Sequence, residues 1–148
     1  MNYEIRAMQL DDYDEILALW KRCEGIGLSS ADEREPVRAF LEHNPGLCFV
    51  AHNQRQIIGT VLCGSDGRRG YLYHLAVDAD QRHQGIGNAL VQRSLEQLRL
   101  QGVQKCHLMV FANNRNGQAF WSKTGWEFRK DILIMSNDLV HQGDACPC

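Results

Sequence analysis

The sequence predicts an α/β fold with one central sheet, mixed but mostly antiparallel, of about seven strands accompanied by four helices. Three observations lead there. Short alternating or wholly apolar runs recur between polar turns, as strands require. Longer stretches repeat their apolar residues at helical spacing. The order is strand, two helices, three strands, helix, strand, helix, two strands, so the two kinds interleave along one chain.

Residues 3–7 alternate and make the first strand. A helix opens at 10–15, where Asp11, Asp12, Asp14 and Glu15 favour the positive end of its dipole. Ile16, Leu17, Leu19 and Trp20 carry the helical rhythm to about Cys23, and Gly25, Gly27, Ser29 and Ser30 break it. A second helix runs from 31 or 32 to 43, with Pro36 near the first turn, where a missing N–H costs little. Asn44-Pro45-Gly46 is a turn. Residues 47–51 and 56–63 are antiparallel strands about a polar turn at Asn53 and Gln54. A basic turn at 66–70 leads to a strand over 71–78. In the next helix Ile86, Leu90, Val91, Ser94, Leu95 and Leu98 share one arc, and Gly102 ends it. Residues 105–111 form a fifth strand, 114–123 a short helix, and 126–129 and 132–136 the last two strands. One domain spans 1–140, and 141–148, with little to bury, is expected to be a flexible tail.

The composition narrows the class. A chain of 148 residues, 44% hydrophobic and 23% charged, suits one soluble globular domain. A net charge of −2 with no basic face argues against nucleic acid as a partner. No apolar run reaches the ~20 residues that cross a bilayer, and the N-terminus shows no signal-peptide pattern, so the expectation is a cytoplasmic protein without a membrane partner. The six cysteines lack Cys-x-x-Cys spacing, which fits a reducing compartment and offers no metal site.

The chemistry concentrates at 71–90. An apolar strand ends at Asp78, a short turn carries Arg82, His83, Gln84, Gly85, Ile86 and Gly87, and a helix begins. A glycine turn opening a helix leaves backbone N–H groups without partners, all pointing one way, and the dipole adds positive charge there. Arg82 and His83 add side-chain donors, so the turn suits a phosphate or pyrophosphate. The dinucleotide fingerprint would need glycine where Leu90 stands, and the Walker loop would need a Gly-Lys-Ser/Thr end.

What remains, Arg82-x-x-Gly85-x-Gly87 after an apolar strand, resembles the acetyl-coenzyme A site of the GNAT family of N-acetyltransferases. Leu75-Ala76-Val77-Asp78 is similar to that family's strand before the cradle. Asn114, then Phe120-Trp121 and Gly125-Trp126, resembles its second signature, an Asn, Phe-Tyr and Gly-Phe. The likeness covers nearly the whole chain. It implies that the strands holding Val77 and Val110 run parallel and splay apart, with the pantetheine arm between them. It further implies cofactor contacts from Leu75, Ala76 and Val77, the pyrophosphate on Arg82 to Gly87, and Asn114 and Trp121 beside the cofactor. The N–H of Ala76 or Val77 would then polarise the thioester. Relatives often pair through edge strands, so a homodimer is a possible assembly.

The chain departs from the family in its proton-handling groups. Trp121 stands where many relatives carry an acidic tyrosine, and Met109 where others carry a basic glutamate. Tyr71 and Tyr73, on one strand face by the period of two, are the first candidates to relay protons, Glu24 the second and His74 the third. Keeping a lysine-like amine neutral at pH 7 costs roughly 4–5 kcal/mol against about 1 for an α-amine, which tilts the acceptor toward the less basic amine. Asp32-Glu33-x-Glu35 would favour a cationic acceptor, although dipole-matched acids at a helix start account for it as well. The function expected is direct acetyl transfer from acetyl-coenzyme A to a primary amine, in a ternary complex and without a metal. The alternative is a coenzyme A-binding sensor of the same fold that has lost catalysis.

Overall fold

The computed structural model describes residues 2–140. The expected tail, with its Cys146-Pro147-Cys148 end, lies outside them. The sheet is β1 (Glu4–Ala7), β2 (Phe49–His52), β3 (Ile57–Ser65), β4 (Gly70–Val77) and β5 (Cys106–Leu108), side by side in chain order. Its first four strands are antiparallel, and β4 and β5 run parallel. The helices are α1 (Tyr13–Arg22), α2 (Arg34–His43), α3 (Ile86–Leu100) and α4 (Arg115–Lys123). Short 3-10 turns at Leu10–Asp12 and Ser30–Asp32 lead into the first two.

Both faces of the sheet are covered. On one, Ile16, Leu19 and Trp20 of α1 and Val37 of α2 pack on Val50, Leu62 and Ala76. On the other, Ile86, Leu90, Val91 and Leu98 of α3 pack on Phe49, Val61 and Leu72. The arc read from the sequence is the one α3 buries, and Ser94 in its middle donates to the Leu47 carbonyl at 2.7 Å. β3, between these layers, is buried along all but its last residue, so it shows no polar alternation. Near the start of the chain Arg6 grips the buried Asp12 through two hydrogen bonds, 2.9 and 2.8 Å, and the Gln9 N–H donates to the same carboxylate.

The sheet has five strands among the described residues, not seven. The stretches 126–129 and 132–136 form no ladder, and Leu133 and Met135 stand 93% and 95% exposed. The aromatics of 126–129 and the apolar, partly β-branched run 132–136 suit strands, but composition makes a strand only beside a partner. The fifth strand is likewise cut from 105–111 to Cys106–Leu108, because pairing with β4 stops at Leu72 opposite Leu108. The second helix starts at Arg34, after an extended Glu33. No helix among the described residues is long and apolar enough to cross a membrane.

Candidate active site

Beyond Leu72 and Leu108 the parallel pair separates. The gap is a cleft of about 860 Å3, walled by Tyr73–Val77 on one side and Met109–Phe111 on the other, with the α3 start and Phe120 and Trp121 at its ends. Open space between two strands leaves their facing backbone groups free for a ligand. The Asp78 N–H bonds back to the Ile58 carbonyl at 2.8 Å, so by strand alternation the peptide groups of Val77 turn the other way, into the cleft. The Val77 carbonyl confirms the direction: it accepts from Arg82 Nε at 3.2 Å and from Cys23 Sγ at 3.6 Å. Of the two backbone donors expected at the thioester, the geometry favours Val77.

The cradle sits at the mouth. Gly85 precedes α3 with φ +80° and gives no side-chain cap. The Ala89 N–H bonds the Gly85 carbonyl at 3.0 Å, and the N–H groups of Ile86, Gly87 and Asn88 lie ahead of it, unpaired within the helix. A helix of 15 residues adds its dipole at that point. Gly87 is informative. A methyl there would meet Phe120 Cζ at 3.4 Å and Val77 Cγ2 at 3.6 Å, ordinary contacts, so the fold itself does not demand glycine. An incoming ligand that approaches the backbone does. Arg82 and His83 are exposed beside the turn, His83 at φ +63°.

Two segments close over the cleft. The loop after α1 brings Gly25 and Gly27 so near the β5–α4 turn that a Cβ on Gly25 would lie 2.4 Å from Asn114 Nδ2, and one on Gly27 2.5 Å from Phe111 Cζ. Asn114 also caps α4, its Oδ1 accepting from the Gly117 N–H at 3.0 Å. Trp121 packs edge-on between Phe120 and Trp126, with centroids 5.0 and 5.2 Å away. Its ring is thus a wall of the cleft with an aromatic backing.

The candidate proton-handling residues divide. Tyr73 borders both this cleft and a neighbouring open groove of about 530 Å3 beside α2. Its ring stands edge-on to Phe40 at 6.1 Å, and burial raises its phenol above the ordinary value. Tyr71 borders only the groove, tilted against His107. Glu24 is an exposed acid on the cleft's rim. The Asp32 to Glu35 run is not a free acidic patch, since Asp32 is buried and Glu35 is paired with Arg38. Burial raises the Cys106 thiol to about 11, far from a thiolate at neutral pH.

His74 escaped the period-two reading. Pairing runs from Tyr73 opposite Leu62 to Ala76 opposite Thr60, so β4 spends three steps where β3 spends two. The extra residue is a bulge. His74 takes φ +48°, a conformation costing a side chain of this kind about 1–3 kcal/mol. Its ring consequently lies on the α1 and α2 side along with Tyr73, edge-on to Trp20 at 4.8 Å. Nε2 is 2.7 Å from Asp32 Oδ1, and the Ser29 N–H donates to Oδ2 at 2.9 Å. The one local hint was Ser29 three residues before Asp32, a capping pair; the His74 partnership spans 42 residues and leaves no local trace. Among the described residues no three His, Cys, Asp or Glu converge as metal ligands.

A family model described as "Acetyltransferase (GNAT) family" matches residues 13–126, from the start of α1 to the residue after the Gly125 turn. The chain belongs to the GNAT acetyltransferase family. Its relatives include an acetyltransferase of Sodalis glossinidius, 34% identical over 137 residues that cover 93% of this chain and 96% of that protein. Another, an acetyltransferase of Pectobacterium atrosepticum, is 37% identical over 137 residues, covering 93% and 96%. Among solved structures, the PaiA N-acetyltransferase of Thermoplasma acidophilum in complex with coenzyme A superposes with a TM-score of 0.78 at 18% identity, over 87% of this chain and 92% of that one. That likeness establishes the GNAT fold, α/β with a splayed fourth and fifth strand. A glycine turn at the start of α3 and a gap between β4 and the chain after β5 stand where the sequence placed them.

Proposed function

We propose that the chain transfers the acetyl group of acetyl-coenzyme A to a primary amine by direct attack in a ternary complex. The observation that carries this is the start of α3: unpaired N–H groups of Ile86, Gly87 and Asn88 open onto the β4–β5 gap, at a glycine the fold does not require. A diphosphate fits that turn and an amide-bearing arm fits the gap, where the Val77 peptide is turned inward. Its N–H polarises the thioester carbonyl, and Arg82, His83, Gln84 and Asn114 bear on the rest of the cofactor.

The acceptor enters from the groove beside α2, the second opening that Tyr73 borders. Burial keeps the Tyr73 phenol protonated, so it serves as a hydrogen-bond donor to the departing sulfur and not as the base. Tyr71, on the groove alone, lines the acceptor's path, and Glu24 at the rim attracts its positive charge. A cytoplasmic setting agrees with the free cysteines Cys23, Cys48, Cys63 and Cys106.

The test has two parts. Acetyl-coenzyme A raises the melting temperature, and a panel of an alanine-initiated tetrapeptide, L-lysine ethyl ester and spermidine yields free thiol with at least one member. Thermal stabilisation without thiol release on any amine would favour the sensor instead.

A further inference from the structure

We infer that His74 is the base that takes the proton from the acceptor amine, with Asp32 holding its ring in the accepting tautomer; the inference rests on the acetyl-transfer reading above. Three observations converge on this residue. The bulge in β4 turns the imidazole onto the same side of the sheet as Tyr73, and the residue borders the cofactor cleft. Asp32, only 8% exposed, places Oδ1 2.7 Å from Nε2, while its other oxygen accepts from the Ser29 N–H. A carboxylate accepts and does not donate, so Nε2 carries the hydrogen and Nδ1 keeps its lone pair. Among the described residues no fully buried side-chain nitrogen or oxygen lacks a partner and Nδ1 has none, so Nδ1 keeps some access to solvent.

The surroundings hold this arrangement rigidly. Trp20 packs on the ring, and Thr60, itself held by the Trp20 indole, donates to the His74 carbonyl at 3.0 Å. Asp32 touches the ring, and Tyr13 of α1 donates its hydroxyl to the Asp32 carbonyl at 2.7 Å; the other ionisable groups lining the same cleft are Tyr73, Cys23, Glu24, Arg82, His83 and Lys123. A positive imidazolium formed on Nδ1 is thus faced at once by the Asp32 carboxylate. In the reaction the ammonium's first proton moves to Nδ1 and from there to water. The N–C bond forms as the C–S bond breaks. The departing sulfur takes the Tyr73 hydroxyl proton, and the second amine proton replaces it.

His74→Asn is the variant to make, since asparagine tolerates a positive φ. With the acceptor that the native protein uses fastest from the panel above, kcat is expected to fall about 100-fold or more at pH 7, while stabilisation by acetyl-coenzyme A persists. The variant's kcat should also climb more steeply with pH than the native one, because water must then receive the ammonium proton. A kcat within threefold of native, or loss of cofactor stabilisation along with turnover, overturns the proposal. Long-range proton–nitrogen NMR of the native protein with acetyl-coenzyme A bound decides the tautomer without any acceptor. An Nε2–H ring with bare Nδ1 is expected, and an Nδ1–H ring overturns the assignment even if the variant fails to fold. A native protein that acetylates none of the three amines is a different failure, that of the acetyl-transfer reading, and the NMR result stands apart from it.

Discussion

The Trp20 indole N–H donates to Thr60 Oγ1 at 2.9 Å, joining α1 to the central strand through two side chains that are 1% and 0% exposed. The Thr60 hydroxyl in turn donates to the His74 carbonyl at 3.0 Å, so one oxygen fixes both a helix and the bulge of β4.

Replacing that hydroxyl by a methyl at nearly constant volume isolates its contribution. Thr60→Val strands a buried indole N–H and a carbonyl, and should lower stability by about 1–3 kcal/mol, whereas Thr60→Ser should lose less. Urea denaturation measures both. Equal stabilities for Thr60→Val and the native protein would show that the indole finds another partner.

At Gly87 the fold tolerates a side chain and the proposed diphosphate does not. Gly87→Ala adds a methyl that the protein accommodates and improves helix propensity by up to about 1 kcal/mol, so the free protein should melt at or above the native temperature. Its affinity for coenzyme A, read by calorimetry, should drop at least tenfold. Unchanged affinity would move the diphosphate away from this turn.

Transfer without an acyl-enzyme predicts that no cysteine among the described residues is essential. Burial holds Cys106 near 11 and Cys48 likewise, and raises Cys23 and Cys63, so none of the four described cysteines is poised as a nucleophile. Cys106→Ala should keep kcat within about threefold of native, a small effect beside the 100-fold or greater one that removing a proton-transfer group brings. Loss of turnover with cofactor binding intact would revive the covalent route.

The Arg6–Asp12 pair gives an acid limb to stability. Burial pushes the Asp12 carboxyl up, but the Arg6 and Gln9 hydrogen bonds outweigh it and leave the group below its ordinary 3.8. A lowered folded value means the contribution is whole above 3.8 and vanishes as pH falls past that lowered value. Asp12→Asn should therefore destabilise at pH 7, by no more than ~1 kcal/mol because Arg6 is 40% exposed and solvent screens it, and the difference should shrink once the pH is taken well below 3.8. Thermal melts at the two pH values suffice, and a pH-independent difference would contradict the assignment.

What the sequence disclosed follows the range of the interactions involved. The turn before α3 was legible because Gly85 and Gly87 lie in the very backbone from which the helix begins, a feature local in sequence. The α3 arc was legible because burial on one side writes a local period. The last two strands were misread because Ile132 to Met135 carry strand composition with no partner, and composition alone cannot supply one. The Asp32–His74 contact was invisible for a related reason: it needs two distant segments and a bulge that no glycine announces.

That bulge makes the site depend on chain length as well as on residue type. In a regular pleat, adjoining side chains part company, and a phenol and an imidazole next to each other in sequence would face separate helix layers. Deleting either Leu75 or Ala76 would restore the regular pleat, and with it separate Tyr73 from His74 although both residues remained. The proposed chemistry would then fail in a protein whose every reactive group was still present.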